Sequence, residues 1–158
     1  NKADMLQQII AQLSHDLDVL FTAAKTAHEA ATHEENIPDN KYDTLALEAS
    51  YVAQGQANRA SEIRQAIEVY KQMSLRSLDD EEIRVTSLVT LEAEDGTIKD
   101  FFIGPLEGGL KITDDHTEVV VITPSSPLGS ELIGRNIGDT IEMGSGANRI
   151  SYEIVGIC

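Results

Sequence analysis

The stretch HEENIPDNKYD, His33 to Asp43, sets four carboxylates, Glu34, Glu35, Asp39 and Asp43, into eleven residues. Acids at this density can serve a hard divalent cation. Mg²⁺ is held by one or two carboxylates together with waters and substrate oxygens, and at a two-metal site it activates water for in-line attack on a phosphodiester. Two acids must then come close together. Asp39 and Asp43 do so if the chain turns helical after Pro38, because residues four apart share a helix face. Glu48 and Glu35 are the next candidates. A plainer reading makes Asp39 or Asp43 the N-cap of a following helix and leaves Glu34 and Glu35 solvated.

Other chemistry is sparse. The sequence contains no Gly-rich phosphate loop, Cys pair or His-Glu zinc helix, and His15, His28, His33 and His116 are scattered. GGLKI, Gly108 to Ile112, lacks the Lys-Ser or Lys-Thr pair of a nucleotide loop. Cys158 has neither a neighbouring His nor a helix start to lower its thiol pKa. No metal site and no cofactor of the protein's own is expected.

The elements that carry the acidic stretch are two heptad segments. Leu6, Ile10, Leu13, Leu17, Leu20, Ala24, Ala27 and Ala31 alternate spacings of four and three, the seam of a coiled-coil helix. The alternation resumes through Leu45, Ala49, Val52, Gln56, Arg59, Ile63, Ala66, Tyr70 and Met73. Each helix would be about 40 to 45 Å long, and a short link containing Pro38 favours an antiparallel hairpin with residues 33–43 at its tip. Seam residues shrink from Leu to Ala toward Ala31, so the tip should be narrow. A four-helix or dimeric coiled coil uses the same pattern.

The period changes after the acidic run Asp79 to Glu82. Residues 83–104 alternate apolar and polar side chains around an EDG turn and predict a β-hairpin. TEVVVIT and DTIEM are further strands, and GSGAN before RISYEIVGI marks a final hairpin, so about five antiparallel strands are expected. In SSPLGSELIG, Ser126 is a helix N-cap, Pro127 fits the first helical position and Gly134 a C-terminal cap. One short helix should cross the sheet. The organisation predicted is α+β, a coiled-coil hairpin over residues 1–75 and a sheet domain over 76–158.

Composition narrows the partners. Twelve basic against 27 acidic residues give a net charge of −15, split as −5 over residues 1–75 (6 basic, 11 acidic) and −10 over 76–158 (6 basic, 16 acidic). Such a surface repels phosphate backbones and acidic membranes, so independent DNA binding is not expected. A single cysteine makes no internal disulfide, and no apolar run reaches membrane-spanning length. A cytoplasmic protein is expected.

The segment VVITPSSPLGSELIGRNIGDTIEM, Val120 to Met143, followed by ISYEIVGI, resembles the C-terminal domain of the GreA/GreB bacterial transcript cleavage factors. Ser126, Pro127, Leu132, Ile133, Gly134, Gly138 and Asp139 fill the family's pattern of Ser-Pro turn, short helix ending in Leu-Ile-Gly, and Gly-Asp turn. The resemblance implies an FKBP-like sheet domain that docks on RNA polymerase at the mouth of its secondary channel, while the hairpin reaches the active site. Ser126, Pro127 and Leu128 would contact the polymerase. The tip acids would share the polymerase's Mg²⁺, and backtracked RNA would be met only through the polymerase. Gre factors carry Asp-x-x-Glu-Asn-Ala-Glu-Tyr at the tip; aligning its last four residues with Glu48, Ala49, Ser50 and Tyr51 puts Thr44 and Leu47 where the two acids belong.

The function expected is therefore stimulated cleavage of backtracked RNA, exerted on the polymerase's active site and not by an enzyme acting alone. The alternative is a polymerase-binding regulator or inhibitor with an inert tip. A third reading, a peptidyl-prolyl isomerase, follows from the FKBP-like domain and would build its pocket from Phe101, Phe102 and Tyr152.

Overall fold

The computed structural model describes residues 2–34, 40–79 and 81–158 and, within the helices, the side chains of all but residue 24 and residues 27–53. The chain divides into two units: Asn1–Ile9 together with Gln72–Cys158, and Ile10–Lys71. Helix α1 (Lys2–Glu34) thus starts in the first unit and continues in the second.

Helix α1 has 33 residues and α2 (Asn40–Lys71) has 32, so each is about 50 Å long, longer than the seam alone predicts. In the hairpin unit Leu13, Ala60, Ile63, Ala66, Ile67 and Tyr70 are buried, all but Ile67 close to fully, and most of them are the seam residues of the heptad reading. Toward the tip the seam thins: Leu17, Leu20 and Gln56 are half-buried, and the Oε1 of Gln56 is buried without a hydrogen-bond partner among the described residues. The Arg64 guanidinium lies 5.2 Å from the Phe21 ring centroid and ties the two helices across their exposed side.

The sheet unit holds six strands, β1 (Leu88–Ala93), β2 (Ile98–Ile103), β3 (Lys111–Asp114), β4 (Thr117–Ile122), β5 (Thr140–Met143) and β6 (Ile150–Ile157), in the order β3-β4-β2-β1-β6-β5. Helix α3 (Pro127–Leu132) is the one α-helix among them in the described residues, and a single 3-10 turn, Gly146–Asn148, precedes β6. This is the expected α+β fold, with three differences of detail. First, β3 is an extra strand. It joins β4 through a two-residue turn, Asp115 and His116, at φ of 47° and 68°. Asp and His tolerate this left-handed region better than most residues, so the turn forms without the glycine that would have announced it.

Second, the sheet is mixed. The tight β3–β4 hairpin inserts β4 between β3 and β2, which makes β4 parallel to β2, while the other four pairings are antiparallel. Third, the first hairpin starts at Leu88 and not at Ile83. Residues 83–87 form a turn in which the Ser87 hydroxyl, fully buried, accepts the Arg84 N–H at 3.0 Å and Thr86 sits at φ 81°.

Both sheet faces are used. On one, Val89, Leu91, Ile103, Ile122, Ile141, Tyr152, Ile154 and Ile157 form the main core with Ile83 and Leu132. The three-residue step from Ile154 to Ile157 keeps both inward because β6 bulges: Thr90 pairs with Gly156 and Leu91 with Ile154, and Val155 is left over. On the other face Phe102, Val119, Val121 and Ile112 are buried, and the same unit buries Met5, Leu6 and Ile9 from the start of α1. Gln8 closes the β3 edge, its side-chain oxygen accepting the Thr113 N–H at 2.9 Å and its amide donating to the Thr113 carbonyl.

Candidate functional site

The loop before α3 is fastened by one side chain. The Ser126 hydroxyl accepts the Gly129 N–H at 3.0 Å and donates to the Thr123 carbonyl at 2.7 Å, and Pro127 starts the helix. Gly129 is buried where a Cβ would run into the Thr123 carbonyl, so only glycine fits. At the other end Gly134 takes φ 85° and donates its N–H to the Ile83 carbonyl at 2.9 Å. Fixed at both ends, α3 sinks Leu132 into the core and leaves Leu128 half-buried at its margin.

Beside Leu128 the sheet face is incompletely covered. Leu91, Lys99, Phe101, Leu128, Met143 and Tyr152 line an apolar notch of about 180 Å³. It adjoins a wider, more polar hollow of about 480 Å³ flanked by Asp95, Glu142 and Arg149, and Lys99 and Tyr152 border both. The Lys99 ammonium stands 5.7 Å from the Tyr152 ring centroid. Arg149 is paired with Glu142 at 2.9 Å. Hydrogen bonding from the Thr97 side chain, then from its N–H, holds the Asp95 carboxyl below the usual range, with the Lys99 charge adding a smaller pull.

The residues expected to contact a partner therefore fall together: Ser126, Pro127 and Leu128 are the cap and first turn of α3, with Pro127 exposed and Leu128 on the notch wall. The Ser126 hydroxyl is engaged internally, so its part is to shape the turn. The aromatic trio of the isomerase reading does not converge. Phe101 and Tyr152 share the notch, while Phe102, adjacent to Phe101 on β2, faces the opposite side and is fully buried. Lys99 and Met143 went unremarked in the sequence, yet strand alternation carries the signal: in TIKDFFIG, Lys99 shares a face with Phe101 and Ile103. Of the tip acids, Asp39 and Glu35 lie outside the described residues, and Asp43 and Glu48 lie on α2 with side chains outside them. Among the described residues no three His, Cys, Asp or Glu are grouped to hold a metal, and no helix is long and apolar enough to cross a membrane.

Residues 78–158, which contain the whole sheet, α3 and the notch, match the family model described as transcription elongation factor, GreA/GreB, C-term. The chain belongs to the GreA/GreB family of transcription elongation factors. No curated protein matches it significantly. Among solved structures, the chain is similar to Gfh1 of Thermus aquaticus, at 23% identity over 98% of this chain and 92% of that one with a TM-score of 0.41. It is also similar to GreA factor homolog 1 (Gfh1) of Thermus thermophilus, at 20% identity over 94% of each chain with a TM-score of 0.39. A GreA/GreB elongation factor from Nitrosomonas europaea is 16% identical over 60% of this chain and 77% of that one, with a TM-score of 0.37.

Proposed function

We propose that the sheet unit docks on bacterial RNA polymerase at the mouth of the secondary channel, through the first turn of α3 and the notch beside it, and that the hairpin carries its acidic tip to the polymerase's active centre. The observation that carries this reading is the pairing of a family-matched domain, residues 78–158, with two helices of 33 and 32 residues that end in a stretch of four carboxylates. A helix hairpin of about 50 Å is a reach, and its value lies in what stands at its end. Asp39 and Asp43 would offer carboxylates to a Mg²⁺ shared with the polymerase, with Glu48 and Glu35 behind them. The ion supplies activation of water for attack on the phosphodiester. This chain supplies negative charge and position, and the catalytic centre stays the polymerase's own.

A second reading has a specific observation behind it. With Glu48 to Tyr51 aligned on the family's last four tip residues, Thr44 and Leu47 fall where its two acids belong, and with neutral residues there the tip would occupy the channel without assisting cleavage. Transcript cleavage on a backtracked complex separates the two. Under the first reading the chain accelerates cleavage, and Asp39→Asn or Asp43→Asn lowers the stimulated rate by orders of magnitude while polymerase binding persists. Under the second, the parent at saturation with ample Mg²⁺ leaves the rate at or below its basal value. Cleavage by both variants at the parent's rate would remove these two aspartates from the mechanism.

A further inference from the structure

We infer that Lys99 sets the specificity of the notch, which takes a polymerase segment whose apolar side chain is flanked by a carboxylate. This rests on the docking reading above and adds the chemistry of the occupant. The notch itself asks only for something apolar: Leu91, Phe101, Leu128, Met143 and Tyr152 would accept any aliphatic or aromatic side chain of suitable size. The charge at its threshold makes the request narrower.

Residues 76–158 contain six basic side chains. Five are ion-paired: Arg76 and Arg84 with Glu81 at 3.3 and 3.2 Å, Lys111 with Glu118 at 3.9 Å, Arg135 with Glu131 at 3.8 Å, and Arg149 with Glu142 at 2.9 Å. Lys99 is the sixth, and among the described residues it forms no ion pair. In a region of net charge −10 this is not for want of acids, since Asp95 lies close enough to feel its charge. Instead its ammonium rests over the Tyr152 ring, on the line where the apolar notch meets the polar hollow. A cation held over an aromatic face keeps its hydrogen-bond donors available, and a carboxylate arriving beside an anchored apolar side chain would meet them.

The same placement works against the wrong occupant. A segment that brought a basic residue to this threshold would set like charge against Lys99, and one that brought no charge would leave the ammonium partly desolvated without compensation. With Arg149 already paired to Glu142, the surrounding carboxylates, Glu94, Asp95 and Glu142, then confine an acidic residue to the spot where the Lys99 ammonium faces it.

The test is equilibrium binding of the fluorescently labelled full chain to purified core RNA polymerase at low and high salt, with thermal melting to establish that each variant is folded. Lys99→Met keeps the length and removes the charge; it is expected to weaken binding about fivefold at low salt and to flatten the salt dependence. Lys99→Glu should weaken it further, Lys99→Arg should restore it, and Leu128→Asp should weaken it most. Parent-like binding by Lys99→Met and Lys99→Glu, with loss in folded Leu128→Asp, would overturn the role of Lys99 and leave the notch as the docking surface. Parent-like binding by all of them would overturn the docking reading and this inference with it.

Discussion

Ser126 makes the turn before α3 with one hydroxyl that both accepts from Gly129 and donates to Thr123. Ser126→Ala removes both bonds and is expected to cost about 1 kcal/mol, read as a lower urea midpoint with an unchanged slope. A loss confined to the cap would also let Leu128 drift, so polymerase affinity should fall with it. Residues of this kind were legible in the sequence because their chemistry is local: a Ser, a Pro at the first helical position and a Gly just past the end state a helix without reference to the rest of the chain. Thr86, Asp115 and His116 were not. They hold left-handed backbone that glycine or asparagine normally advertises, and their conformations are imposed by the strands on either side. Lys99 falls between, visible to strand alternation but given meaning only when Tyr152, more than fifty residues later, comes up beneath it.

At the scale of elements, the hairpin helices could be read from seven-residue periodicity, and Leu13, Ile63, Ala66 and Tyr70 are buried as that seam requires. Leu13→Asp places a charge at a position 1% exposed and is expected to destabilise the hairpin unit by more than about 3 kcal/mol. Since Leu13 belongs to Ile10–Lys71, protease digestion should cut that unit first and leave fragments of the sheet unit. Equal loss of both would mean that the two units share one cooperative transition. The sheet was harder to read. Four-residue β3 is too short to show alternation, and the parallel β2–β4 pairing depends on where the β3–β4 hairpin inserts, which no local pattern states. The β6 bulge follows the same rule in reverse: an apolar step of three residues is a misfit for a flat strand until pairing with β1 resolves it.

For the whole molecule, a net charge of −15 and a hairpin ending in carboxylates favour a protein partner over nucleic acid, and the family match over residues 78–158 names the process as transcription elongation. The tip was the easiest stretch to notice and its role the hardest to assign, because a carboxylate by itself names neither a metal nor a substrate nor a partner. The central claim is therefore one of position, and it can be measured directly. A thiol-reactive photocrosslinker attached at position 39, in a chain carrying Asp39→Cys and Cys158→Ser, would be bound to a backtracked elongation complex and irradiated. The account predicts crosslinks to the extruded 3′ segment of the RNA and to the polymerase's active-centre region. Crosslinks confined to the polymerase's outer surface, with binding intact, would contradict it.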